Sequence, residues 1–233
     1  IDHIGAGVLG RLLVVRGMNE AADLNAWIDA NSTLVITYQM MRFVGRLAFP
    51  IFCFLLIEGF EHTHDVKKYA LRLLSFCLIS EIPFDLLFNG KILESGYQNV
   101  FFTLFLGVLM LTAVDWIGRN TDAALAQYRQ MAVVVGAALL AWFLRTDYDA
   151  AGIMLIAVLF WFRLTPDTAC LAGFVLMAAA EFRPVYIPGL AVSFFLIRCY
   201  NGTRGSWKGK WFFYLVYPVH LLVLYGISRL VFG

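Results

Sequence analysis

The sequence predicts an all-α, polytopic integral-membrane helical bundle of about nine transmembrane helices, folded as a single domain over residues 1–233. Three observations carry that class. Hydrophobic residues make up 61% of the chain and charged residues 15%, against about 25% in soluble domains. The mean hydropathy is +0.76. Apolar runs long enough to cross a bilayer follow one another along the chain, and no polar stretch exceeds roughly 17 residues, well short of the ~50 that an independent soluble core requires.

Counting ~17–25 apolar residues per crossing places helices at 1–16, 34–59, 67–88, 99–118, 130–145, 149–163, 169–182, 186–200 and 212–231. The first opens directly in apolar sequence, with neither an initiator Met nor a basic leader, and reads as the second half of a helix. Several of the later ones are short, as expected of tilted or half-spanning elements around a cavity. Pro50, Pro83 and Pro218 each interrupt an apolar segment close to a charged or titratable residue, where a freed backbone carbonyl needs another partner.

The connections fix an orientation. Residues 17–33 hold Glu20, Asp23 and Asp29 and no Lys or Arg. Lys67, Lys68, Arg72, Arg119, Arg129, Arg163, Arg198, Arg204, Lys208 and Lys210 all fall on one side, and Arg16, Lys91, Arg145, Arg183 and Arg229 on the other. The positive-inside rule makes the richer side cytoplasmic, with the N-terminus in and the C-terminus out. The net charge of +2 supports neither a nucleic-acid partner nor an acidic tail. Cys53, Cys77, Cys170 and Cys199 have no metal-ligand spacing and read as unpaired packing residues, so no metal is expected.

Charges inside apolar sequence mark the candidate chemistry, since a charge at the bilayer centre costs roughly 2.5–3.5 kcal/mol on insertion scales. Arg42 and Arg46 are four residues apart, as are Glu81 and Asp85; at matching depth, the two pairs are expected to meet across the hairpin between 34–59 and 67–88. All four histidines lie in or beside apolar segments and are candidate bases: His3 next to Asp2, His62 and His64 after the second segment, and His220 in FYLVYPVHLL. Each taken alone also reads as a packed core histidine, the commoner case. Glu58 and His62 share a helix face, with Asp65, Lys67 and Lys68 just beyond, which reads either as an anion-binding entrance or as an ordinary basic turn. Tyr214, Tyr217 and His220 recur every third residue, a spacing that suits hydrogen-bond donors to an oxyanion and suits plain packing too. The loop YNGTRGSWKGKW, with Arg204, Lys208 and Lys210, fits phosphate binding or membrane-surface anchoring.

At these residues the chain resembles the TraX family, membrane proteins associated with acetylating the amino terminus of conjugative pilin. The strings that carry the resemblance are DHIG at 2–5, GRLAFPIF at 45–52, EGFEHTHDVKKYALRLLSF at 58–76, ISEIPFDLLFNG at 79–90, NVFFTLFLG at 99–107, TDYDAAGIMLIA at 146–157, YNGTRG at 200–205 and KWFFYLVYPVHLL at 210–222. A looser similarity extends to the wider transmembrane acyltransferases, through an early-helix histidine, a Phe-rich helix ending in Gly59 and Phe60, and a basic stretch after it, in which Lys68 stands where a strict paired-arginine form has arginine.

The resemblance implies an acetyltransferase of the bacterial inner membrane that takes acetyl from cytosolic acetyl-CoA. Its acceptor is an amine or hydroxyl at or across the membrane, on a pilin-like protein or an envelope glycan. His3 is then the catalytic imidazole, oriented by Asp2, with Glu58 and His62 as the alternative pair. Arg46, Asn99 and Tyr217, in that order, are candidate oxyanion donors. His64, Lys67, Lys68, Arg72, Arg204, Lys208, Lys210, Tyr217 and His220 are candidate donor contacts. Direct transfer and an acetyl-histidine intermediate remain equally open. Two other classes use the same buried charges: a transporter or channel for protons or anions, and a non-catalytic assembly factor.

Overall fold

The structure is a computed structural model that describes residues 1–181, 183–203 and 209–232, the side chain of Lys210 excepted. Its elements are α1 (Ile4–Val15), α2 (Leu24–Ala30), α3 (Ser32–Gly45), α4 (Ala48–Glu61), α5 (Val66–Phe88), α6 (Val100–Asn120), α7 (Ala123–Phe143), α8 (Asp149–Trp161), α9 (Pro166–Glu181), α10 (Ile187–Arg198) and α11 (Lys210–Phe232). Among the described residues no strand forms, apart from an isolated bridge between Gln98 and Thr146. The expected all-helical class holds. Four stretches, Ser32–Glu61, Val100–Asn120, Ala123–Phe143 and Trp211–Phe232, are long and apolar enough to cross a membrane. By contrast α8 has 13 residues and α10 has 12, or ~20 Å and ~18 Å against a hydrocarbon layer of about 30 Å.

Local chemistry sets the helix ends. Asp23, Asp65 and Asn99 cap α2, α5 and α6, their side chains accepting from backbone amides in the first turn. The segment expected as one helix over 34–59 breaks at Arg46 and Leu47, because Pro50 has no amide to offer the Arg46 carbonyl. Helix α10 supports the break from outside: the Ser193 hydroxyl donates to the Leu47 carbonyl at 2.9 Å, and Gly189 passes so close that a Cβ there would lie 2.9 Å from the Phe43 carbonyl oxygen.

The main core lies where α4, α6 and α8 meet, on Phe49, Leu111, Ile153 and Ile156, each at most 2% exposed. Large apolar side chains such as Leu139, Phe143, Leu171 and Leu230 face outward, as a lipid-facing surface requires. Helix α1 lies beside α11, with His3 against His220 and Arg11 against Ser228 at the same offset of 217 residues, so the two run parallel and in register. It also separates α3 from α5. Gly5 meets Met41 and Arg42 on one side, and Gly7 meets Leu87 on the other.

That insertion corrects one expectation. Arg42 and Arg46 do not meet Glu81 and Asp85. Arg42 pairs with Asp2 at 2.7 Å and Arg46 with Glu181 at 2.9 Å. Glu81 accepts from the side chain and backbone amide of Asn99, while fully buried Asp85 accepts from the Glu94 amide at 2.7 Å and from Asn89 at 3.2 Å. With α1 between the two helices, each charge finds a partner elsewhere.

Candidate active site around His3 and His220

His3 sits at the start of α1 and its Nδ1 lies 2.8 Å from Nε2 of His220, on the neighbouring α11. The other nitrogen of His220, Nδ1, lies 2.7 Å from the carbonyl oxygen of Val216, one turn back on the same helix. A carbonyl can only accept, so His220 carries its proton on Nδ1. In a neutral ring Nε2 is then an acceptor, which makes His3 the donor through Nδ1. The remaining nitrogen of His3, Nε2, is left with a lone pair. A backbone carbonyl thus sets the tautomers of two imidazoles in series, and the last nitrogen of the chain is the basic one.

Aromatic rings hold this nitrogen in place. Tyr217 packs edge-on to His3 with ring centroids 5.5 Å apart, and Phe88 does so at 5.9 Å. Asp2, expected to orient His3, instead gives its carboxylate to Arg42 and lies flat against Gly45, where an added Cβ would overlap it. The orienting partner of His3 is His220, expected among the donor contacts. Sequence spacing gave no sign of this, because the two residues are 217 positions apart.

Beyond Asp2 lies a second polar cluster. Arg46 donates to Glu181 at 2.9 Å and to the Tyr148 hydroxyl at 3.1 Å, and its guanidinium lies over the rings of Tyr186 and Tyr148. Arg46, Tyr97, Asp147, Tyr148, Asp149 and Glu181 line a cavity of about 300 Å³. The loop that supplies three of them is strained, with Arg145, Tyr148 and Asp149 at positive φ. Sequence reasoning assigns no role to Tyr97, Asp147, Tyr148 or Glu181; for Asp147 and Tyr148 the string TDYDAAG at 146–152 is the signal.

The opposite end of the bundle carries the basic connections. His62 donates from Nδ1 to the backbone carbonyl of Glu58 at 2.9 Å, while the Glu58 carboxylate accepts from Tyr200. The expected carboxylate–imidazole pair is therefore replaced by a backbone contact, because the Glu58 side chain turns toward α10. His64, Lys67 and Lys68 are exposed, with Lys68 on Asp65 at 3.2 Å. Hydrogen bonds from the Lys68 amide and ammonium hold the Asp65 carboxyl below its usual range. Arg72 turns inward, stacks over Tyr69 and hydrogen-bonds Tyr214. From there Tyr214 and Tyr217, both packed on Phe101, lead along α11 to His220. Arg204 and Lys208 lie outside the described residues, as does the side chain of Lys210. A cavity of about 320 Å³ at this end is lined in part by Glu61, His62, Arg163, Arg198 and Tyr200, with Glu61 and Arg163 paired at 2.5 Å.

An all-helical bundle with membrane-length apolar helices and a histidine pair between its first and last helices defines the class. Within that class, the chain belongs to the TraX family, whose model, described as TraX protein, matches residues 1–228. The chain is also similar to the probable fimbrial assembly protein FimC, serogroup H1, of Dichelobacter nodosus, at 30% identity over 215 residues, covering 80% of this chain and 82% of that protein. No solved structure matches the chain.

Proposed function

We propose that this protein is an integral-membrane acetyltransferase, with His3 as the base that activates an amine or hydroxyl acceptor for attack on acetyl-CoA. The observation that carries this reading is the hydrogen-bond series from the Val216 carbonyl through His220 to His3, which leaves Nε2 of His3 unprotonated. In the reaction, the acceptor nitrogen or oxygen attacks the thioester carbonyl carbon and His3 Nε2 takes its proton. The carbon–sulfur bond then breaks, and His3 returns the proton to the departing thiolate. Atoms and charge balance without a further reactant.

Donor binding is assigned to the basic end. Lys67 and Lys68, exposed on the first turn of α5, suit the nucleotide phosphates, and Arg72, Tyr214 and Tyr217 form a line of side-chain contacts from that end to His3. On this reading the nine apolar stretches expected from the sequence lie in the bacterial inner membrane, basic end inside and acidic connections outside. The acceptor on this reading is pilin-like, in keeping with the name of the fimbrial assembly relative.

Reconstituted protein tests the reading. In liposomes with acetyl-CoA at the basic face, release of free CoA thiol should depend on an added peptide with a free amino terminus, and the peptide should gain one acetyl group. An ion or anion flux with no thiol release would replace the enzyme by a carrier.

A further inference from the structure

Acyl transfer passes through a tetrahedral intermediate whose oxygen carries negative charge, so a site for it needs a hydrogen-bond donor within about 3 Å of that oxygen. Three side chains are expected from the sequence as candidate donors: Arg46, Asn99 and Tyr217. Arg46 is committed to Glu181 and Tyr148 and lies over Tyr186. Asn99 spends both hydrogens of its amide, on the Cys77 carbonyl at 2.9 Å and on Glu81, while its oxygen caps the Phe101 amide at 3.0 Å.

Tyr217 differs from both. Its hydroxyl is buried beside the Val100 amide at the N-terminus of α6, and no acceptor within the protein takes its proton in good geometry. Orphaned buried hydroxyls are uncommon and costly. The same ring stands edge-on to His3 at 5.5 Å and to His220 at 5.5 Å. Tyr217 is therefore the one of the three whose ring contacts both imidazoles and whose hydroxyl proton is left for an acceptor from outside the protein. The opposing charge nearby, Glu81, is drawn off by the side chain and backbone amide of Asn99.

We propose that the Tyr217 hydroxyl is the oxyanion donor of the acetyl transfer, a catalytic residue that hydrogen-bonds the thioester oxygen as His3 works on the acceptor. The assignment rests on the acetyl-transfer reading above. The phenol keeps its proton throughout and loses its hydrogen bond when the intermediate collapses and sulfur leaves.

Tyr217→Phe tests it, read beside His3→Ala in detergent-solubilised full-length protein, with acetyl-CoA and a short peptide bearing a free amino terminus as probes. The expected result is a fall in kcat of about 10²–10³-fold with the KM for acetyl-CoA unchanged. The thermal midpoint should stay equal or rise, because no acceptor in the resting protein takes the proton of the lost hydroxyl. A Tyr217→Phe rate within threefold of wild type, or a midpoint several degrees lower, overturns the donor role. If that occurs while wild type transfers acetyl and His3→Ala does not, the acetyltransferase reading stands without this residue. Wild type that consumes no acetyl-CoA removes both.

Discussion

His3 and His220 come from opposite ends of the chain and meet at 2.8 Å, Nδ1 to Nε2, with the second ring anchored to the Val216 carbonyl at 2.7 Å. Because the anchor is a carbonyl, the direction of both hydrogen bonds is set. Replacing His220 by Ala should free His3 to rotate and to change tautomer, lowering acetyl transfer by about 10²-fold while KM for acetyl-CoA changes little. His220→Gln, whose side-chain carbonyl can still accept from His3, should recover part of the loss. Initial rates for the two variants, with the pH–rate profile of each, check this.

Gly45 gives room to Asp2. An ideal Cβ at Gly45 would overlap Asp2 Oδ1, so Gly45→Ala must push the carboxylate off its site and loosen the 2.7 Å pair with Arg42. Overpacking of this kind typically costs about 1–3 kcal/mol. The expected result is a lower thermal midpoint together with reduced activity, since Asp2 adjoins His3. Gly136→Ala, at a position with nothing within 4 Å, serves as the neutral control.

Arg46 and Glu181 are paired at 2.9 Å with side chains 15% exposed each. Removing one partner leaves the other charge buried, at a cost of about 3–5 kcal/mol. Arg46→Met alone should destabilise strongly, and the double variant Arg46→Met with Glu181→Met should recover most of the loss. Thermal unfolding of wild type, Arg46→Met, Glu181→Met and the double variant in one detergent measures the coupling.

Asp65 caps α5 through the Lys68 amide at 2.9 Å, and its carboxyl is held below the usual range. A carboxyl depressed in the folded state stabilises above its unfolded value, about 3.9, and loses that contribution as pH falls through the folded value. Amide exchange at the first turn of α5 should therefore accelerate relative to α6 as pH drops below about 4. Asp65→Asn should remove the pH dependence.

The helices were legible in the sequence, and the pairing of their side chains was not. Apolar runs located every long helix, and Pro50 marked the region where α3 gives way to α4, because length and an absent amide are local properties. The start of α7 at Ala123, ahead of the expected residue 130, was hidden by Gln127, Arg129 and Gln130, polar residues in a helix end. Arg42 is expected opposite Glu81 and Asp85 because the two pairs lie at matching depth in adjacent helices, and nothing local reveals that α1 passes between them. For the same reason His3 and His220 were read as separate candidates. Periodicity reports which residues share one helix face, and contacts between the first and last helices lie beyond it.

The central claim is that an imidazole at position 3 performs the chemistry, and the rate of acetyl transfer by His3→Ala in folded, membrane-inserted protein tests it most directly. The account expects a rate at background, with the thermal midpoint close to wild type. Transfer within tenfold of wild type would contradict it.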